Sequence, residues 1–250
     1  MQNSQSSTGR VKQTALVNAT GDATQNLQDF DLLDLQQFTR EGVYSNTASK
    51  DFHLFYVGRD NVHEILKYVL SRASVSLYLN MFGYDDDELN DILMAKVLDP
   101  AVTVLITLDR SQAGSKHEKA LLDADKKHDL SSFNTHFVIG ESATHCISHT
   151  KGFVADGKVG AEGSTNWSPD GEGIFVNGTW QVAGPGAPAG PVTPGKSYKA
   201  QNNTQSIFTD PDTVNRFQTE LIAEHVIAQK QAAQKLVEAA KASQPSKEGL

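Results

Sequence analysis

The chain has a single cysteine, Cys146, so no disulfide can form within it and the fold must hold without one. It also lacks any apolar stretch long enough to span a bilayer. The first 26 residues are rich in Gln, Ser, Thr, Asn and Ala and lack the apolar run of a secretory signal. No segment reads as an amphipathic helix with a basic face that would lie on a membrane. These absences lead to the expectation of a cytoplasmic protein without stable membrane insertion, export by a route that reads other signals remaining open. Net positive charge is missing too: 22 Lys and Arg stand against 30 Asp and Glu, a formal net charge of -8. Sequence-independent nucleic-acid binding draws on neutralised phosphates, so this balance argues against a coat protein. A local positive cleft would still suffice for an enzyme acting on a polyanion.

What is present is an alternation of strand and helix patterns in 250 residues, enough for one substantial α/β domain. A polar N-terminal extension covers 1–46, with one amphipathic segment at 26–38 that could dock as a helix. From 47 to 228 the pattern reads as a single domain. Strands are expected at 52–57, 74–82, 102–108, 134–139, 151–155, 158–161, 174–183 and 205–208. Helices are expected at 61–72, 87–97, 114–127 and from 212 onward. The acidic run 85–88 suits the positive end of the second helix. The Gly/Pro-rich stretch 184–195 excludes helix and central strand. Residues 229–250 read as a polar helical tail. The alternation argues for a sheet with helices on its faces.

The stretch 149–166 carries the chemistry: HTKGFVADGKVGAEGSTN. If 149–155 is extended, His149 and Lys151 point to the same side. Asp156-Gly157 between two strand-like runs is a hairpin signal. The returning strand then delivers Gly163, Ser164 and Asn166 near the start of the first. An imidazole, an ammonium, a hydroxyl and a carboxamide thus converge. The imidazole can attack phosphorus, and the other three can donate hydrogen bonds to phosphate oxygens. Gly163 would allow close backbone approach to the bound anion.

The spacing of His149, Lys151, Asp156, Gly163, Ser164 and Asn166 resembles the HxK(x)4D(x)6GSxN signature of the phospholipase D superfamily at every position. The segments 52–109 and 203–208 resemble the single-motif bacterial endonucleases of that superfamily. The resemblance implies an α/β/α sandwich with a mixed, mostly parallel sheet. It also implies a metal-independent phosphodiesterase that needs no cofactor. Family enzymes use two motifs, so one copy implies a homodimer with both His149 side chains facing one phosphate. One His149 would form a phosphohistidine, and the other would protonate the leaving oxygen. Lys151, Ser164 and Asn166 would stabilise the phosphoryl oxygens, while Asp156 is read either as a catalytic member of the set or as the residue that fixes the hairpin. The implied substrate is nucleic acid, DNA first, with RNA left open. A phospholipid headgroup is the alternative, and a non-catalytic phosphate-binding scaffold is a third reading.

Two departures stand out. The family's orienting Glu is matched by Gln205, and a neutral amide stabilises an imidazolium less than a carboxylate does. Glu172 is a candidate substitute. A long insertion, 167–202, carries Trp167 and Trp180. Trp167 could stack on a substrate or belong to the core. Lys116, His117 and Lys119 could line a phosphate path or form a solvated helix face. His136, His145, Cys146 and His149 lack paired metal-ligand spacing, so no metal site is expected there.

Overall fold

The computed structural model describes residues 27, 30–109, 116–128, 135–140, 149–173, 180–181, 190–191 and 201–243. Its centre is a seven-stranded sheet. In chain order the strands are β1 (Phe52–Tyr56), β2 (Ser76–Met81), β3 (Thr103–Asp109), β4 (Thr135–Gly140), β5 (Lys151–Ala155) and β6 (Val159–Gly163). A two-residue pair follows, β7 (Trp180–Gln181) against β8 (Gly190–Pro191), and then β9 (Thr204–Phe208). The main sheet runs in the order β1-β9-β6-β5-β2-β3-β4. The strand expected at 174–183 is described only at Trp180–Gln181; its remainder lies outside the described residues.

The helices form where the pattern places them. In α1 (Val62–Arg72) the buried Val62, Ile65, Leu66, Val69 and Leu70 recur at helical spacing. Its Asn61 N-cap accepts from the Glu64 N–H. In α2 (Asp87–Val97) Asp86 is the N-cap, and Asp87 and Glu88 occupy the first turn. The third helix, α3, spans Lys116–His128, and α4 is a single turn, Pro169–Glu172. The last helix, α5, spans Pro211–Ala242, with Asp210 as N-cap and Pro211 in the first turn. Before the sheet, a 3-10 helix at Leu32–Phe38 docks through the buried Leu32 and Leu35.

Strand alternation divides the core in two. Leu77, Leu79, Met81, Phe153, Ala155, Ala161 and Ile207 face α1, α2 and the 3-10 helix. Tyr78, Val154 and Phe208 face Val214, Phe217 and Leu221 of α5. The expected α/β/α sandwich is therefore present. The "mostly parallel" sheet is not: β2-β3 and β3-β4 are parallel, and the other four pairings are antiparallel. The cause is interleaving. Strands β1, β2, β3, β4 and β6 run one way, but β5 and β9, which run the other way, each separate two of them. Among the described residues no helix is long and apolar enough to cross a membrane.

Candidate active site

The signature residues gather where β2, β3 and β6 end and β5 and β9 begin, the carboxyl edge at which α/β sheets hold ligands. Register places them there. Lys151 pairs with Met81, and Gly163 pairs with Gln205. The hairpin between β5 and β6 turns through Asp156 and Gly157, both at positive φ (53 and 64), as a type I′ turn requires.

Lys151 is the group around which the site is built. Its Nζ donates to the His149 carbonyl oxygen at 2.7 Å and lies 3.2 Å from each imidazole nitrogen. Phe82, directly after β2, supports both residues: its ring centroid is 4.5 Å from that of His149 and 4.9 Å from Lys151 Nζ. Lys151 is only 3% exposed, whereas His149 is open to solvent. Burial pulls the Lys151 ammonium below the usual lysine range, against the opposing pull of the Glu162 and Asp109 carboxylates.

The hydroxyl and the amide are held by the chain that follows β6. Ser164 Oγ donates to Asn203 Oδ1 at 3.2 Å and accepts from the Thr204 N–H at 3.0 Å. Asn203 Nδ2 in turn donates to the Gly171 carbonyl oxygen at 3.0 Å. Asn166 packs over Gly83, where a Cβ would lie 2.9 Å from Asn166 Cγ. Its buried Oδ1 has no hydrogen-bond partner among the described residues. A buried amide oxygen left so is costly, and it marks a place where polar capacity is kept unspent.

Gly163 has a different reason from the one its spacing suggests. A Cβ there would stand 2.2 Å from the Thr204 carbonyl oxygen, so close packing of β6 on β9 demands glycine. Gln205 is buried on β9, on the sheet face that also carries Lys151. Its Nε2 donates to the Ser206 carbonyl oxygen at 3.3 Å, and its Oε1 has no partner among the described residues.

Two expected site residues lie elsewhere. Asp156 sits at the far end of β5, about 17 Å of extended chain from Lys151. Its carboxylate accepts from the backbone N–H groups of Ser74, Val75 and Ser76 and from Ser74 Oγ at 2.8–3.1 Å. It ties the hairpin to the start of β2 and cannot touch a substrate held by Lys151. Trp167 is 1% exposed. Its ring packs against Tyr84 and Phe153, and its backbone N–H donates to the Gly83 carbonyl oxygen at 2.8 Å. It is core, and what it does for the site is to anchor the neighbouring Asn166.

Of the basic residues at the start of α3, Lys116 and His117 both lie against Asp87 of α2. The carboxylate of Glu172 pairs with His63 at 2.6 Å. The residues that local reading misses are Phe82 and Gly83. Phe82 and Gly83 follow a strand's carboxyl end, which is the one signal that could have flagged them. His145, Cys146 and the side chain of His136 lie outside the described residues.

No protein-family model matches the sequence, and no curated protein matches it. Solved structures do match. The chain is similar to NucT from Helicobacter pylori, at 14% identity and TM-score 0.48, covering 69% of this chain and 94% of that one. It is similar to Nuc from Salmonella typhimurium, a phospholipase D family member, at 14% identity and TM-score 0.44, covering 69% and 92%. It is also similar to phosphatidylserine synthase from Haemophilus influenzae, at 10% identity and TM-score 0.48, covering 73% of this chain and 42% of that one.

Proposed function

We propose that the protein is a phosphodiesterase that works through a covalent bond between His149 and phosphorus, with nucleic acid as the substrate. The observation that carries this reading is the Lys151 ammonium, buried and held within 3.2 Å of an exposed imidazole. It sits in a signature whose hydroxyl and amide bearers open onto the same edge. A ring nitrogen of His149 attacks phosphorus, the P–N bond forms and the P–O bond to the leaving group breaks. The leaving oxygen takes a proton from His149 of a second copy of the chain. Water then attacks phosphorus, giving its proton to that second imidazole, and the P–N bond breaks. Lys151, Ser164 and Asn166 stabilise charge on the non-bridging oxygens. All protons and electron pairs are accounted for by the two imidazoles, so no cofactor enters the scheme. The choice of nucleic acid rests on the resemblance of the single motif to the bacterial endonucleases.

A second reading, a lipid phosphodiesterase, is favoured by one feature. An open groove of about 890 Å³ beside Thr150 is lined by Phe52, Phe208 and Phe217, together with Glu162, Glu220 and Arg216. Its apolar, acid-leaning wall suits an acyl chain or a neutral headgroup better than a polyanion. The test uses an oligonucleotide radiolabelled at its internal phosphodiesters and phosphatidylcholine vesicles radiolabelled at phosphorus, with acid-free quenching. The expected result is a labelled protein–phosphate adduct and cleaved DNA, both lost in His149→Ala. An adduct with lipid alone would transfer the reading to the second substrate. No adduct with either, or equal turnover by His149→Ala, would overturn the mechanism.

A further inference from the structure

One buried cluster has no part in this chemistry. His63 lies in the first turn of α1, Asp86 caps α2, and Glu172 ends α4; their residues are 7%, 4% and 2% exposed. The candidate ligand atoms all lie within 4.8 Å of one another. His63 Nδ1 is 2.6 Å from Glu172 Oε2 and 3.9 Å from Asp86 Oδ2.

Three features set this apart from a simple buried ion pair. The Glu172 side chain is fully buried, yet its Oε1 has no hydrogen-bond partner among the described residues. A carboxylate oxygen taken out of water and left unpaired is costly unless a cation or a proton meets it. Asp86 uses Oδ1 to accept the Leu89 N–H at 2.7 Å, which leaves Oδ2 turned toward His63. The second ring nitrogen of His63, Nε2, faces Glu88 Oε2 at 3.3 Å, and Lys67 grips that same oxygen. An imidazole whose far nitrogen is oriented by a carboxylate is the usual arrangement around a metal-bound histidine.

We infer that His63 Nδ1, Asp86 Oδ2 and the Glu172 carboxylate form a binding site for one divalent transition-metal ion of the zinc type. One imidazole and two carboxylates match the N/O donor set of such ions. Metal–ligand bonds of about 2.0–2.2 Å put neighbouring donors about 3.3–3.6 Å apart in a tetrahedron. The 2.6 Å contact must open and the 3.9 Å one must close, each by less than about 1 Å. The fourth position falls to Glu172 Oε1 or to water.

The role is positional. Glu172 follows Gly171, whose carbonyl oxygen holds Asn203, and Asn203 holds Ser164. An ion joining α1, α2 and α4 would fix the wall that carries Ser164 and Asn166, and no step of the reaction passes through it.

The test takes the full-length protein, stripped with chelator and dialysed, and titrates it with Zn²⁺ by calorimetry. X-ray absorption is then recorded on the zinc-loaded protein. One zinc per chain is expected, with a first shell of N and O at about 2.0–2.2 Å that includes an imidazole and no sulfur. Glu172→Gln and Asp86→Asn keep shape and cap, and each should weaken binding at least about tenfold. Sub-stoichiometric zinc, a sulfur ligand from Cys146, or unchanged affinity in both variants would overturn the assignment. If a variant does not fold, stoichiometry and the absorption spectrum of the wild type decide. None of these readouts depends on phosphodiesterase activity.

Discussion

Lys151 combines two demands that oppose each other. On the proposed reading it must be charged to hold a phosphate, yet it is buried where charge is disfavoured. Because its pKa is lowered, it loses its proton at a pH below that of an ordinary lysine. KM for a phosphodiester should therefore rise on the alkaline side earlier than free lysine chemistry would dictate. Arginine at this position stays charged, so Lys151→Arg should move that limb to higher pH, read from KM–pH profiles. The linkage to folding has the opposite sign. Neutralising a group whose charged form the fold disfavours relieves the fold, so this alkaline loss of binding should come without a loss of stability at Lys151. Gly83 is the second sensitive position, since a methyl there would collide with the Asn166 amide. Gly83→Ala should lower kcat about 10- to 100-fold by displacing one donor from the phosphate. The melting temperature, measured alongside, should fall far less than for a core truncation such as Phe153→Ala.

At the scale of elements, the β5–β6 hairpin is pinned at one end by Asp156 and carries the candidate site at the other. Asp156→Ala removes the four donors' common acceptor at the start of β2. Charge-assisted bonds lost from partly buried amides should cost about 2–4 kcal/mol, read as a lower denaturant midpoint. Turnover per folded molecule should stay within about twofold, because the change lies some five residues of strand away from Lys151. This division also explains what was legible in the sequence. His149, Lys151, Gly163 and Ser164 converge through strand alternation and one Asp-Gly turn, both local properties of the chain. The α1 and α2 positions were legible for the same reason, through apolar residues at helical spacing in α1 and the acidic run 85–88 that opens α2. Pairing direction was not, since it depends on β5 and β9 inserting between strands distant in sequence. Nor was the burial of Trp167, which depends on Tyr84 and Phe153, or the support of His149 by Phe82. Glu172 was noticed as an acid near the motif, but its partner His63 belongs to a helix on another stretch of the chain.

For the whole molecule, the decisive question is how many imidazoles one phosphate needs. A single chain offers one His149, and the proposed reaction uses two, a nucleophile and a proton donor. A mixed dimer of wild-type and His149→Ala chains then has half the machinery and should be inactive, although both subunits fold and bind. Activity must fall with the square of the wild-type fraction. Coexpression of the two chains with different tags, followed by two-step purification, isolates the mixed species. At equal proportions the unsorted population should retain roughly a quarter of wild-type activity, because only wild-type pairs complete the site. If each chain worked alone the same population would retain roughly half, and the purified mixed dimer would be half-active. That outcome would place the leaving-group proton on a side chain within one subunit and would remove the need for two-fold symmetry at the phosphate.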